Sequence, residues 1–140
     1  MKHTESDEQQ ALFQWSKLIQ TQYPELKLLH SIPNGGKRNL IEAVRMKREG
    51  VKAGVSDIFL PVARGEFHGL YIELKVKGGK TSPSQEWWIV QTTKQGYYST
   101  VCYGWLEAKG IIEKYLGMEG EKKCLDQFMN PEQEPKNTAT

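Results

Sequence analysis

Asp57 interrupts an apolar run, Gly54-Val55-Ser56-Asp57-Ile58-Phe59-Leu60-Pro61, and the triplet Glu73-Leu74-Lys75 follows inside a second apolar stretch. Side chains two apart on a strand point to the same face, so Glu73 and Lys75 would share one. Pairing of the two strands would bring Asp57 against Glu73. Carboxylates that close repel unless a cation lies between them, and a hard, oxygen-preferring ion such as Mg²⁺ or Mn²⁺ suits that place. The carbonyl of Leu74 offers a further oxygen, which makes Asp57, Glu73 and Leu74 the expected metal set. A lysine beside such an ion and a scissile phosphate orients the attacking water and stabilises the charge of the transition state, a role that falls to Lys75. These residues form a minimal kit for metal-assisted phosphodiester hydrolysis. The bland alternative is a solvated strand face, with Asp57 a turn residue at a strand end.

Two further side chains are candidates to complete such a site. Glu8 precedes Ala11 and Leu12 by three and four residues, which puts it on the apolar stripe of a first helix. An acid there needs a partner: a metal site is one answer, a lysine or the positive helix start another. Gln85 either closes a capping box with Ser82 or faces the metal site from a helix start. Asn34-Gly35-Gly36-Lys37-Arg38 is a donor-rich loop leading into a helix, an arrangement suited to phosphate and equally to a plain turn. Arg45, Lys47, Arg48 and Lys52, with Lys77 and Lys80 further on, read as a general electrostatic footprint for a polyanion. Of the adjacent Trp87 and Trp88, one would fill the core and the other stay exposed. His30 and His68 stand alone and are not read as ligands.

These positions need a scaffold. Ala11, Leu12, Trp15, Leu18 and Ile19 recur at helical spacing and predict a helix over 6–22, opened by Ser6 with Gln9 and closed by Pro24. Residues 27–32 are expected as a strand that ends at Pro33-Asn34-Gly35-Gly36. A helix over 40–49 is capped by Asn39 with Glu42, carries Leu40, Ile41 and Val44 as its apolar stripe, and stops at Gly50. Strands at 54–61 and 70–77 hold the acids. In the second, Leu70, Ile72, Leu74 and Val76 alternate with Tyr71, Glu73, Lys75 and Lys77. Ser82-Pro83-Ser84-Gln85 opens a helix over 83–95 that ends at Gly96. A strand over 97–103 and a helix over 105–116 follow. The order α-β-α-β-β-α-β-α predicts a mixed α/β domain, a small mixed central sheet with helices packed on it.

At 140 residues the chain has room for one domain. No apolar stretch approaches the roughly 20 residues of a membrane span, and no signal-peptide core follows Met1, so a cytoplasmic protein is expected. Cys102 and Cys124 fit neither a disulfide framework nor a zinc site and are read as reduced. The net charge of +2 is unevenly spread. Residues 27–80 hold 11 Lys and Arg against 5 Asp and Glu, so positive charge gathers in the middle of the chain, where a polyanion can use it.

Asp57…Glu73-Leu74-Lys75 resembles the PD-(D/E)xK signature of the restriction-endonuclease-like superfamily. More narrowly, residues 5–116 resemble a VRR-type (virus-type replication-repair) nuclease domain. The matching points are Glu8, Pro33-Asn34-Gly35-Gly36, Gly54-Val55-Ser56-Asp57, Ile72-Glu73-Leu74-Lys75, and Gly79-Lys80-Thr81-Ser82-Pro83-Ser84-Gln85. Ser56 stands where the superfamily motif usually has proline, a difference that touches backbone shape and not chemistry. The resemblance implies a restriction-endonuclease-like fold, dependence on Mg²⁺ or Mn²⁺, and branched DNA as substrate. Asp57 and Glu73 would bind metal, Lys75 assist the water, and Glu8 and Gln85 complete the site. Stand-alone relatives occur in phages and bacteria and are similar to Holliday-junction resolvases in acting as dimers, which implies a homodimer in a bacterial or phage-infected cell. Trp87-Trp88, Tyr97-Tyr98 and the cluster Leu125, Phe128 and Met129 offer apolar material for such contacts. Residues 117–140 form a polar tail, expected to be partly mobile.

Overall fold

The computed structural model describes residues 3–33 and 39–119. Helix α1 (Glu5–Leu18) starts one residue before the expected 6–22 span and ends four residues before its close. Thr4 is its cap: the Thr4 hydroxyl accepts from the Asp7 N–H at 3.1 Å, and the Asp7 carboxylate accepts from the Thr4 N–H at 2.9 Å. The expected pairing of Ser6 with Gln9 does not form, and Ser6 instead accepts from Gln10 at 3.1 Å. Pro24, well placed at the first position of a helical turn, opens a short 3₁₀ turn (Pro24–Leu28) that buries Leu26. The strand expected over 27–32 is thereby reduced to β1 (His30–Ser31).

Helix α2 (Leu40–Arg48) has the expected Asn39 cap, which accepts from the Glu42 N–H at 2.8 Å. Its apolar stripe is not buried. Leu40, Ile41 and Val44 are 79%, 82% and 43% exposed, because the other helices cover the sheet and leave α2 no face to pack on. Strands β2 (Ile58–Leu60), β3 (Leu70–Lys75) and β4 (Tyr98–Tyr103) join β1 in one sheet of order β1-β2-β3-β4. The first three run antiparallel to their neighbours, and β4 lies parallel to β3. The parallel pair needs a crossover, and α3 (Pro83–Lys94) supplies it. Helix α4 (Trp105–Leu116) is the last element among the described residues.

One sheet face carries Ile58, Leu60, Leu70, Ile72, Leu74 and Cys102, all buried against Leu12 of α1 and Ala108, Ile112 and Tyr115 of α4. Full burial of each such aliphatic side chain contributes about 1.5–3 kcal/mol. The Tyr115 hydroxyl ties this layer to the chain after β2 by donating to the Val62 carbonyl at 2.5 Å. The opposite face carries Phe59, Tyr71, Glu73 and Lys75. Helix α3 covers it through Trp88, edge-on to Tyr71, and through a 2.6 Å hydrogen bond between Thr92 and Ser99. Tyr98 packs on Phe67 and Tyr115 within the chain, so it is not spare surface. The result is a mixed α/β sandwich of three layers, and the alternation of β3 divides its residues between core and site.

Candidate active site

The pairing Ile58↔Ile72, continued by one residue, sets Asp57 across from Glu73. The ladder itself stops at Ile58, and the Asp57 side chain takes over from it: its Oδ2 accepts from the Leu74 N–H at 2.9 Å. On the other edge of β3, the Lys75 carbonyl accepts from the Gly104 N–H at 2.8 Å. Backbone groups alternate sides along a strand, so the Leu74 carbonyl, like its N–H, is directed to the Asp57 side. Two carboxylates and one carbonyl thus converge where β2 begins and β3 ends.

Glu73 is 1% exposed, and neither of its carboxylate oxygens has a hydrogen-bond partner among the described residues. Its carboxyl is pushed up from 4.5 to about 9, first by burial and then by the neighbouring Asp57 carboxylate, with the Lys75 ammonium pulling the other way and Glu5 adding a last push upward. An acid this costly to ionise is kept for a cation or a proton. Lys75 is buried on the same face, two residues along. The donor set of Asp57, Glu73 and the Leu74 carbonyl is all oxygen, which fits Mg²⁺ or Mn²⁺. No group of three or more His, Cys, Asp or Glu side chains that could hold a metal occurs among the described residues.

The flanking helices are held in place by the other two candidates. Glu8 Oε2 accepts from the Trp105 N–H at 2.9 Å, capping α4, whose own cap residue is Gly104. Gly104 has φ at +88°, a backbone conformation that side chains disfavour, and this turn at the end of β3 presents the Trp105 N–H to the Glu8 carboxylate. Gln85 closes the capping box of α3: its Oε1 accepts from the Ser82 N–H at 2.9 Å. Gly54 backs onto this helix start so closely that a Cβ there would fall 2.4 Å from the Ser84 carbonyl oxygen. With φ at +89°, the same position disfavours any side chain. The motif Gly54…Asp57 is therefore clamped against the first turn of α3.

The VRR-NUC domain model matches residues 1–105 of the chain. The chain belongs to the VRR-NUC family. A solved structure titled "VRR_NUC domain protein" is 30% identical and superposes with a TM-score of 0.74, over 86% of this chain and 93% of that one. Comparison with curated proteins gave no match. Membership implies a nuclease-type function, and the mixed sheet with its helices is consistent with a restriction-endonuclease-like fold. The family match stops at 105, whereas α4 continues to Leu116 and buries Ala108, Ile112 and Tyr115 in the core.

On this VRR-NUC scaffold, Lys77 and Lys80 stand exposed in the segment between β3 and α3, and Lys52 is exposed two residues before Gly54. Arg45 and Arg48 lie exposed on α2, Arg45 in a loose 3.8 Å pair with Glu49. Asn34, Lys37, Arg38 and the tail cluster Leu125, Phe128 and Met129 lie outside the described residues, as does Cys124. Cys102 is free and buried, its thiol pushed up to about 12 chiefly by burial. His30 and His68 make ring contacts with Phe59 and Tyr97. Sequence reading missed Thr4 and Gly104. The Thr4-Glu5-Ser6-Asp7 spacing carries a capping signal for the first, and for the second the positive φ of the turn explains the glycine.

Proposed function

We propose that this protein is a divalent-metal-dependent, structure-selective DNA endonuclease that hydrolyses phosphodiester bonds in branched DNA. The observation that carries the reading is the Glu73 carboxyl, buried, without a hydrogen-bond donor among the described residues, and set against Asp57. Asp57, Glu73 and the Leu74 carbonyl would hold Mg²⁺ or Mn²⁺. When bound, that ion supplies charge neutralisation at the phosphate and a more acidic water. Asp57 has a second duty, holding the Leu74 main chain in register at the site. Glu73 gives up its proton when it becomes a ligand, so metal affinity rises with pH. Lys75 orients the attacking water and balances the negative charge that grows on the phosphate oxygens. Glu8 and Gln85 act as positioning residues, fixing the starts of α4 and α3 around these groups. Lys52, Lys77 and Lys80, with Arg45, Arg48 and the loop residues Asn34, Lys37 and Arg38, bind the DNA backbone.

The substrate we assign is the four-way junction, cut by a homodimer in the cytoplasm of a bacterial or phage-infected cell. Resolution needs two incisions in strands of like polarity, and a two-fold pair of single-site chains presents two sites with that symmetry. The exposed apolar stripe of α2 supports this reading as surface that one chain alone leaves uncovered. Light scattering should give a mass near twice the 16.0 kDa chain, and junction cleavage should yield paired, ligatable nicks. A monomer that makes one unpaired incision in a flap or fork overturns the resolvase assignment.

A further inference from the structure

Trp87 stands on the outer side of α3, next to Trp88, whose ring meets Tyr71 edge-on at 5.6 Å and pins the helix to the sheet. The Trp87 side chain is 52% exposed, and the Lys52 ammonium lies over its ring, 5.7 Å from the centroid. That leaves much of the indole uncovered. Val90, 49% exposed, and Lys94 continue the same stripe three and seven residues on. At about 1.5 Å per residue, Trp87 and Lys94 are roughly 10 Å apart along the axis, the length of about three stacked nucleotides. The acid in this turn, Glu86, is directed elsewhere, accepting from the Thr81 hydroxyl at 2.9 Å. Through the clamp of Gly54 on Ser84, the segment carrying Lys52 reaches the start of α3 just before it delivers Asp57 to the site.

An exposed indole with one ammonium group over its ring and another two turns along the same helix stripe suits one ligand chemistry above others: an unpaired nucleotide, its base on the indole and its phosphates on the ammonium groups. The interior of a paired duplex offers no such face, because its bases already stack on one another. An acidic protein partner would satisfy the lysines and leave the ring unused. We propose that Trp87, with Lys52 and Lys94, holds unpaired nucleotides that adjoin the duplex cut at Asp57, Glu73 and Lys75. The inference rests on the nuclease reading and deepens it, since unpaired nucleotides occur in flaps, splayed forks and opened junction centres, and not within linear duplex.

The test is fluorescence anisotropy in EDTA, where no metal-dependent cleavage occurs, with a blunt duplex and the same duplex bearing a short single-stranded tail. Trp87→Ala should weaken binding of the tailed DNA about five- to tenfold and that of the blunt duplex by less than about twofold. Trp87→Phe should keep most of the affinity for the tail, with a melting temperature near that of the unmodified protein. Lys52→Ala should weaken tail binding and reduce its salt dependence. An unchanged affinity for the tailed DNA, or an equal loss on both DNAs, overturns the proposal. A changed oligomeric mass without a change in tail affinity also overturns it and assigns the face to a second copy. Loss of tail affinity in a protein that cuts no DNA with metal present would sink the nuclease reading alone. Cleavage of branched DNA together with indifference to Trp87 would sink this inference alone.

Discussion

Glu73→Gln should make the metal-free protein more stable while removing its catalysis. The Glu73 carboxyl is raised from 4.5 to about 9, foremost by burial and then by Asp57. The native state therefore keeps the proton through a pH range in which the unfolded chain has released it. Unfolding gives off a proton there, so stability is full below 4.5, falls as pH rises towards about 9, and levels off above. At about 1.4 kcal/mol per pH unit, the interval from the unfolded value to pH 7 costs about 3 kcal/mol. Glutamine has the same shape, carries no charge at any pH and can donate its amide to the Asp57 carboxylate. The variant should therefore gain about 3 kcal/mol at pH 7, or roughly 10 °C in melting temperature, and almost nothing near pH 4.5. Thermal denaturation followed by circular dichroism in EDTA, at several pH values between these, reads the effect. Added Mg²⁺ should raise the melting temperature of the unmodified protein and leave that of the variant unmoved. A variant that is less stable at pH 7, or a gain that is flat across pH, would refute the reasoning.

Asp57→Asn and Lys75→Ala should each lower cleavage by about 100-fold or more. Isothermal titration should show weaker Mg²⁺ binding for the first and unchanged binding for the second. Because asparagine still offers an oxygen to the Leu74 N–H, Asp57→Asn should keep its melting temperature. Glu8→Ala removes the α4 cap and should cost about 1 kcal/mol. Denaturant titration should find most of that recovered in Glu8→Gln, which retains the accepting oxygen. DNA affinity should fall steeply with salt in filter-binding measurements. Lys37→Ala and Arg38→Ala should weaken it more than Lys109→Ala or Lys114→Ala, and equal losses at all four would remove any special role for the loop after Pro33.

The element order and most boundaries were legible because each rests on local chemistry. Asn39 and Ser82 cap their helices, Pro83 sits in the first turn of α3, and β3 alternates apolar and polar side chains. The shortfalls lie where tertiary context decides. The periodicity of α2 shows that a stripe exists, and not that a surface meets it, so Leu40 and Ile41 are exposed against expectation. The alternation of β3 left a solvated face open as the alternative for Glu73 and Lys75. Both are buried, because the face they share lies under α3 and against the Asp57 strand. The pairing of Asp57 with Glu73 followed from the motif. Its replacement of the ladder bond to Leu74 did not, since strand ends are set by which side chain reaches the free N–H first. Glu8 and Gln85 were each read with two alternatives, and both side chains are engaged at helix starts.

Incubation of the purified protein with Mg²⁺ or Mn²⁺ and labelled four-way junction, flap, fork and linear duplex, alongside Glu73→Gln, tests the central claim most directly. Cleavage of branched DNA that requires the metal, stops in EDTA, spares linear duplex and is lost in Glu73→Gln is the expected result. Failure to cut any of these substrates with either metal, or cleavage by Glu73→Gln at the unmodified rate, would contradict it.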